Sequence, residues 1–186
     1  EIVEEAEREG LTMIVSHHPL IFKGLKQLRE VTPLEQTVAL AVRKNRVVYS
    51  MHTNADKIMD GVSGAMARAL SLKNVSILAP DKACQANGES CGLGVVGDLP
   101  EPMPADAFIA LLKRIFQVQG LKGSEILYPK ISRVALCGGS GSSLIPDALR
   151  SGAQVFVSAD FSYHTYFETI PHMMLIDAGH YETEAG

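Results

Sequence analysis

His17 and His18 stand side by side, directly after the apolar run of residues 11–15 and directly before Pro19. Neighbouring side chains at an extended strand end point to opposite sides, so one metal ion rarely takes both, while two nearby ions can take one each. The pair also reads as two solvent-facing loop histidines. His52 and Asp56 follow a second apolar run, four residues apart. Asn54 and Asp56 offer hard oxygen donors and His52 a borderline nitrogen. The alternative is an Asx-type turn, with Asp56 capping the helix that follows. His180 and Glu184 are also four apart. With a helical turn starting at Tyr181, both share one face and can share one ion; the alternative is a frayed polar end. Taken together, His17, His18, Asp56, His180 and Glu184 supply three imidazoles and two carboxylates. That is a donor set for two divalent ions with positions left open for water, the arrangement that makes hydroxide available near neutral pH. Imidazole plus carboxylate suits zinc, iron(II) or manganese.

Further groups are less specific. Asp160 and His164 follow another apolar run, with Tyr163 between them; they read as an acid/base pair on a cavity wall or as supporting residues behind one. Residues 138–143, Gly-Gly-Ser-Gly-Ser-Ser, read as an anion-cradling loop or as a tight structural turn. No Lys follows the glycines, so this is not a Walker A loop. His172, after Pro171, reads as a surface or core histidine.

The elements that must position these residues alternate between strand and helix. Short apolar runs at 11–15, 46–51, 131–137, 154–157 and 173–177 predict strands, the first of them a buried one. Apolar residues at helical spacing predict helices over 1–9, 33–45, 61–71, 105–116 and 144–150. Between 75 and 104, glycines and prolines, with Asn87, predict only short strand-like pieces. The alternation implies an α/β fold with mixed or parallel pairing. In open α/β sheets the functional crevice lies at the carboxyl ends of the strands, which is where these histidines and carboxylates fall.

Composition narrows the function classes. In 186 residues, 17 Lys and Arg stand against 21 Asp and Glu, a formal charge of −4. That argues against a broadly basic nucleic-acid surface. With 46% apolar and 20% charged residues the chain is of globular type, and no run reaches membrane-spanning length. The three cysteines form no CxxC pair and read as reduced thiols of a cytoplasmic protein. The chain opens at Glu1 in a stretch that reads as helix already under way, so an upstream segment is expected.

Three of these segments carry a resemblance: His-His-Pro-Leu-Ile-Phe at 17–22, His-Thr-Asn-Ala-Asp at 52–56 and Gly-His-Tyr-Glu-Thr-Glu at 179–184. With Cys-Gly-Gly-Ser-Gly-Ser at 137–142 and Ser-Ala-Asp at 158–160, the sequence resembles the NIF-three-like family over essentially its whole length. Members are also known as GTP cyclohydrolase I type 2 homologues or dinuclear metal centre hexameric proteins. The resemblance implies two intertwined α/β lobes with mixed sheets. Lobe one would be about 1–78 plus 158–186 and lobe two about 79–157, both ends being shorter than in full family chains. It implies His17, His18, Asp56, His180 and Glu184 as ligands of two divalent ions per chain. His52 would stand beside them as an extra ligand or proton-transfer group, with Asp160 and His164 as further catalytic candidates. It implies a toroidal homo-hexamer acting on a small-molecule substrate by hydrolysis of a C–N, ester or phosphoester bond. The alternative is a metal-stabilised regulatory scaffold that binds a transcription factor. Two departures stand out: Ser-Ala-Asp replaces the more usual Thr-Gly-Asp, and residues 91–97 lack an Arg that many members place between those glycines.

Overall fold

A computed structural model describes every residue except Asn87, Glu89, Ile170 and Gly186. The glycine- and proline-rich reading at Asn87 therefore lies outside the described residues. The chain divides into two compact units, residues 1–55 and 56–186.

The first unit is a minimal α/β arrangement. Helix α1 (Ile2–Arg8) buries Val3 and Ala6, the apolar spacing that the sequence predicts. Gly10 follows it at φ 67°, a left-handed conformation that glycine adopts without cost. Strand β1 (Met13–Ser16) leads to helix α2 (Pro33–Arg43) and strand β2 (Val47–Ser50), which pairs parallel with β1. A capping box starts α2. The Glu35 backbone N–H donates to the Thr32 hydroxyl at 3.2 Å, and the Glu35 carboxylate accepts from the N–H of Val31 and of Thr32. The short helix α3 (Thr53–Asp56) follows β2.

The second unit is built on a six-stranded mixed sheet. Its elements are α4 (Val62–Ala69), β3 (Lys73–Pro80), α5 (Lys82–Ala86), β4 (Gly92–Pro104), α6 (Ala105–Ile115), β5 (Lys122–Gly123) and β6 (Lys130–Ser140). A 3-10 turn (Ser142–Leu144), α7 (Ile145–Arg150), β7 (Val155–Ala159), α8 (Tyr163–Glu168), β8 (Met174–Asp177) and α9 (His180–Glu184) complete it. The strand order is β3-β4-β6-β7-β8-β5, with β6, β7 and β8 parallel and the outer pairs antiparallel. Both faces are covered. On β6, β7 and β8, Val134, Leu136, Val155, Val157, Met174 and Ile176 face one core with α4 and α6. Ala135, Cys137, Phe156 and Leu175 face a second core with Leu144 and Ala148. Continuous apolar runs are what a strand buried on both faces requires.

Three expectations are corrected. β1 is not a buried strand: it alternates, with Met13 and Val15 exposed and Ile14 and Ser16 half-buried. The short pieces expected between 75 and 104 are instead long strands. β3 and β4 form a hairpin whose register slips between Lys73 and Ser76, and β4 slips again against β6 between Asp98 and Met103. Such irregularities let a strand accommodate the Gly and Pro residues that read as breaks. The three cysteines are not all free thiols either: Cys84 and Cys91 form a disulfide with Cα atoms 5.7 Å apart, and Cys137 is free and buried. Their spacing is not a CxxC signature; the β3–β4 hairpin is what brings them together. Among the described residues no helix is long and apolar enough to cross a membrane.

Candidate metal centre

In the first unit the ends of β1 and β2 bring three imidazoles together. The His52 backbone N–H donates to the His17 carbonyl at 2.9 Å, and the Met51 N–H donates to the Ser16 carbonyl at 2.9 Å. The Ser16 and Ser50 hydroxyls sit 3.0 Å apart, and the Ser16 hydroxyl donates to the His18 carbonyl at 2.9 Å. These bonds fix the strand ends. His17 and His18 ring centres are 4.8 Å apart, and His52 lies 5.7 Å from His17 and 5.6 Å from His18. His52 is held at φ 35°, a strained conformation for a non-glycine residue and of the sort that concentrates at functional sites. The Phe22 ring stands edge-on to His52, with centres 6.1 Å apart.

In the second unit the parallel strands β6, β7 and β8 end on the same side, and their ends converge. Asp160, just past β7 and at φ 58°, lies 2.6 Å from His180 Nδ1 through its Oδ2. α9 starts at His180, one residue before the turn expected from Tyr181, and the i, i+4 spacing places His180 Nε2 3.2 Å from Glu184 Oε1. The Asp160 hydrogen bond holds the His180 imidazole above its ordinary pKa against the effect of burial, with the Glu184 and Asp160 charges acting in the same direction. Gly139, at φ 62°, floors this pair: a Cβ there would stand 2.3 Å from Glu184 Oε1 and 3.0 Å from His180 Nε2.

At Gly138 and Gly139 the segment serves the structure. Gly138 and Gly139 belong to β6, and their N–H groups donate to Ser63 Oγ (3.3 Å) and Thr183 Oγ1 (3.0 Å). These amides are directed at the protein, not at an anion. A Gly138 Cβ would meet Val62 Cγ1 at 2.3 Å. The Ser158 hydroxyl donates to the Gly139 carbonyl at 2.8 Å and locks the β6 end against β7.

The other predicted residues are placed as follows. Asp56 closes α3; the following helix α4 is capped by Gly61 without a side-chain bond, so Asp56 is not its cap. Asp56 and Glu184 both act electrostatically on Cys137, whose thiol is pushed up to about 11, first by burial and then by these charges. Cys137 is the neighbour of the carboxylates that residue-type reasoning passes over. Its only signal was its place at the end of an apolar strand, before two glycines. His164 is exposed on α8, its ring 5.3 Å from Tyr163. His172 is exposed as well.

The donor chemistry fits a divalent cation. Two donors about 2.1 Å from one ion at a tetrahedral angle lie about 3.4 Å apart, and His180 Nε2 and Glu184 Oε1 are 3.2 Å apart. The opposite ring nitrogen is held by a carboxylate, the arrangement that orients metal-binding histidines.

A family model, Duf34/NIF3 (NGG1p interacting factor 3), matches residues 1–186. This chain belongs to the DUF34/NIF3 family. Among curated relatives, the "GTP cyclohydrolase 1 type 2 homolog" of a Nostoc species is 34% identical over 98% of this chain and 68% of its own length. The "Protein NIF3 homolog" of Schizosaccharomyces pombe is 28% identical over 100% of this chain and 68% of its own length. Among solved structures, a Bacillus cereus protein related to NIF3 superposes with a TM-score of 0.88 at 22% identity, covering 98% of this chain and 76% of that one. A Staphylococcus aureus hypothetical protein gives 0.85 at 28% identity, covering 98% and 71%. For this DUF34/NIF3 member the mixed α/β fold is thus shared with solved relatives.

Proposed function

We propose that this DUF34/NIF3 member is a dinuclear metal-dependent hydrolase of the kind its curated relatives' name suggests, cleaving a C–N, ester or phosphoester bond in a small molecule. The observation that carries this reading is the Asp160–His180–Glu184 arrangement: an imidazole fixed at Nδ1, its Nε2 and a carboxylate oxygen at the spacing of two donors to one ion. The ligand set proposed is His17, His18, Asp56, His180 and Glu184, for two zinc, iron or manganese ions. Bound divalent ions supply Lewis acidity and an acidified water.

The chain's own residues have defined tasks in this reading. Asp160 acts through His180 and is a positioning residue: it selects the tautomer that presents Nε2. Gly139 keeps the space above Glu184 free of side chain. His52, beside His17 and His18, is the candidate to move protons at the reacting group. His164, exposed on α8, is proposed only to meet substrate at the rim.

The test is metal analysis after chelation and reloading, with turnover on purine nucleotides and phosphoesters. Wild type should hold two ions per chain. His17→Ala combined with Glu184→Ala should lose them, and a double variant that keeps both ions refutes the ligand set. Metal-loaded protein that is inert on every substrate, yet retains one specific protein partner, would favour the second reading, a metal-stabilised regulatory protein. The family's description as an interacting factor supports that alternative. A homo-hexamer belongs to either reading and is tested by sedimentation.

A further inference from the structure

The disulfide Cys84–Cys91 plays no part in the proposed hydrolysis, yet it lies in a tightly defined frame. β3 and β4 pair Pro80 with Gly92, so the segment that carries both cysteines is already closed by the hairpin. The covalent bond spans seven positions inside that closed segment. A crosslink adds chain-entropy stabilisation when it closes a loop nothing else closes, so this one is a weak staple. Its surroundings suit exchange instead. Cys84 is half-buried, so small reagents can reach the pair from its side. The two sulfurs and an Asp81 carboxylate oxygen all lie within 4.8 Å of one another. Lys57 Nζ is 2.6 Å from Asp81 Oδ2, so the carboxylate beside the sulfurs is countered by an ammonium and leaves no bare negative charge against a forming thiolate.

The frame also has an output. The Cys91 carbonyl accepts from the Asp81 N–H at 2.8 Å, and Cys91 forms an antiparallel bridge with Ile58. The Gly92 N–H donates to the Lys57 carbonyl at 2.8 Å. Lys57 is therefore gripped at its backbone by the start of β4 and at its ammonium by Asp81. The residue before it is Asp56.

We propose that Cys84 and Cys91 are a reversible dithiol–disulfide pair that exchanges with low-molecular-weight thiols and disulfides, and that the Cys91–Ile58 bridge transmits its state to residues 57–58. In the oxidising direction one cysteine thiolate attacks a small disulfide, forming a mixed disulfide and releasing one small thiolate. The second cysteine thiolate then attacks the protein sulfur of that mixed disulfide, forming the Cys84–Cys91 bond and releasing the second small thiolate. Two electrons pass from the cysteine pair to the small disulfide, and the two thiol protons pass to the released thiolates. Two small thiols reverse the sequence.

The experiment uses the purified chain equilibrated in glutathione buffers of graded ratio, followed by alkylation and mass measurement. The expected result is the loss of two alkylatable thiols together as the buffer becomes oxidising, with Cys137 unchanged. In the disulfide form, amide exchange at Lys57, Ile58 and Gly92 should be several-fold slower. Cys84→Ser and Cys91→Ser should each abolish that difference. A disulfide that survives every reducing ratio, one that never forms, or equal amide exchange in both states each overturns the proposal. None of these readouts involves a bound cation, so failure here and failure of the hydrolase reading are distinguishable.

Discussion

The β1–β2 pair and the β6–β7–β8 core hold similar chemistry by different means. β1 and β2 are four residues each, and Val15 on the open face is 55% exposed. β7 is buried throughout, and its Phe156 is 0% exposed. Both regions carry histidine or carboxylate at their strand ends. In the first, hydrogen bonds of the strand-end backbone and of Ser16 and Ser50 fix the positions. In the second, packing on two faces fixes the strands, and glycines at the β6 end make room for the carboxylate and imidazole. The lesson is that a strand end can be positioned by a two-sided core or by a few polar clamps, and the two should answer mutation differently.

The largest expected effect lies in the core. Phe156→Ala should cost about 3–5 kcal/mol in denaturant unfolding, whereas Val15→Ala, on an exposed face, should stay within about 0.5 kcal/mol. Similar costs for the two would break the contrast. Gly139→Ala comes next. It forces a side chain into a left-handed position and against Glu184 and His180, so a loss of about 1–3 kcal/mol is expected, together with weakened cation binding by calorimetry. Thr32→Ala removes the α2 cap and should cost about 1 kcal/mol, read from the unfolding midpoint.

Tyr166→Phe is the smallest. The Tyr166 hydroxyl is shut away from solvent with no hydrogen-bond partner among the described residues. Its pKa is pushed up to about 12, first by burial and then by the charge of Asp177. Because the folded-state value lies above the unfolded one, near 10, the folded state keeps its proton longer. This contribution is full below about pH 10 and is lost as pH rises towards 12. Tyr166→Phe should be neutral or slightly stabilising at pH 7 and should flatten the alkaline loss of stability. An unchanged alkaline limb in thermal melts would contradict this.

Much of this was legible in the sequence because the relevant signals are local. Residues 154–157 announce a strand, Pro33 after Thr32 announces a helix start, and histidines directly after apolar runs announce strand ends. What stayed hidden depends on partners distant in sequence. β4 reads as broken because its glycines and prolines are tolerated only through register slips against β3 and β6. The Cys84–Cys91 bond depends on a hairpin, and the proximity of Cys137 to the Asp56 and Glu184 charges depends on the packed sheet. The Gly138–Gly139 pair was ambiguous because an anion cradle and a close approach demand the same residue type; Thr183, Ser63 and Glu184 decide between them.

The central claim is that His180 and Glu184 are donors to a divalent cation. Equilibrium dialysis of wild type, His180→Ala and Glu184→Gln against zinc or manganese, with metal counted per chain and folding checked by melting temperature, tests it most directly. Each folded variant should bind fewer ions than wild type, or bind them at least about tenfold more weakly. Folded variants with wild-type stoichiometry and affinity would contradict it.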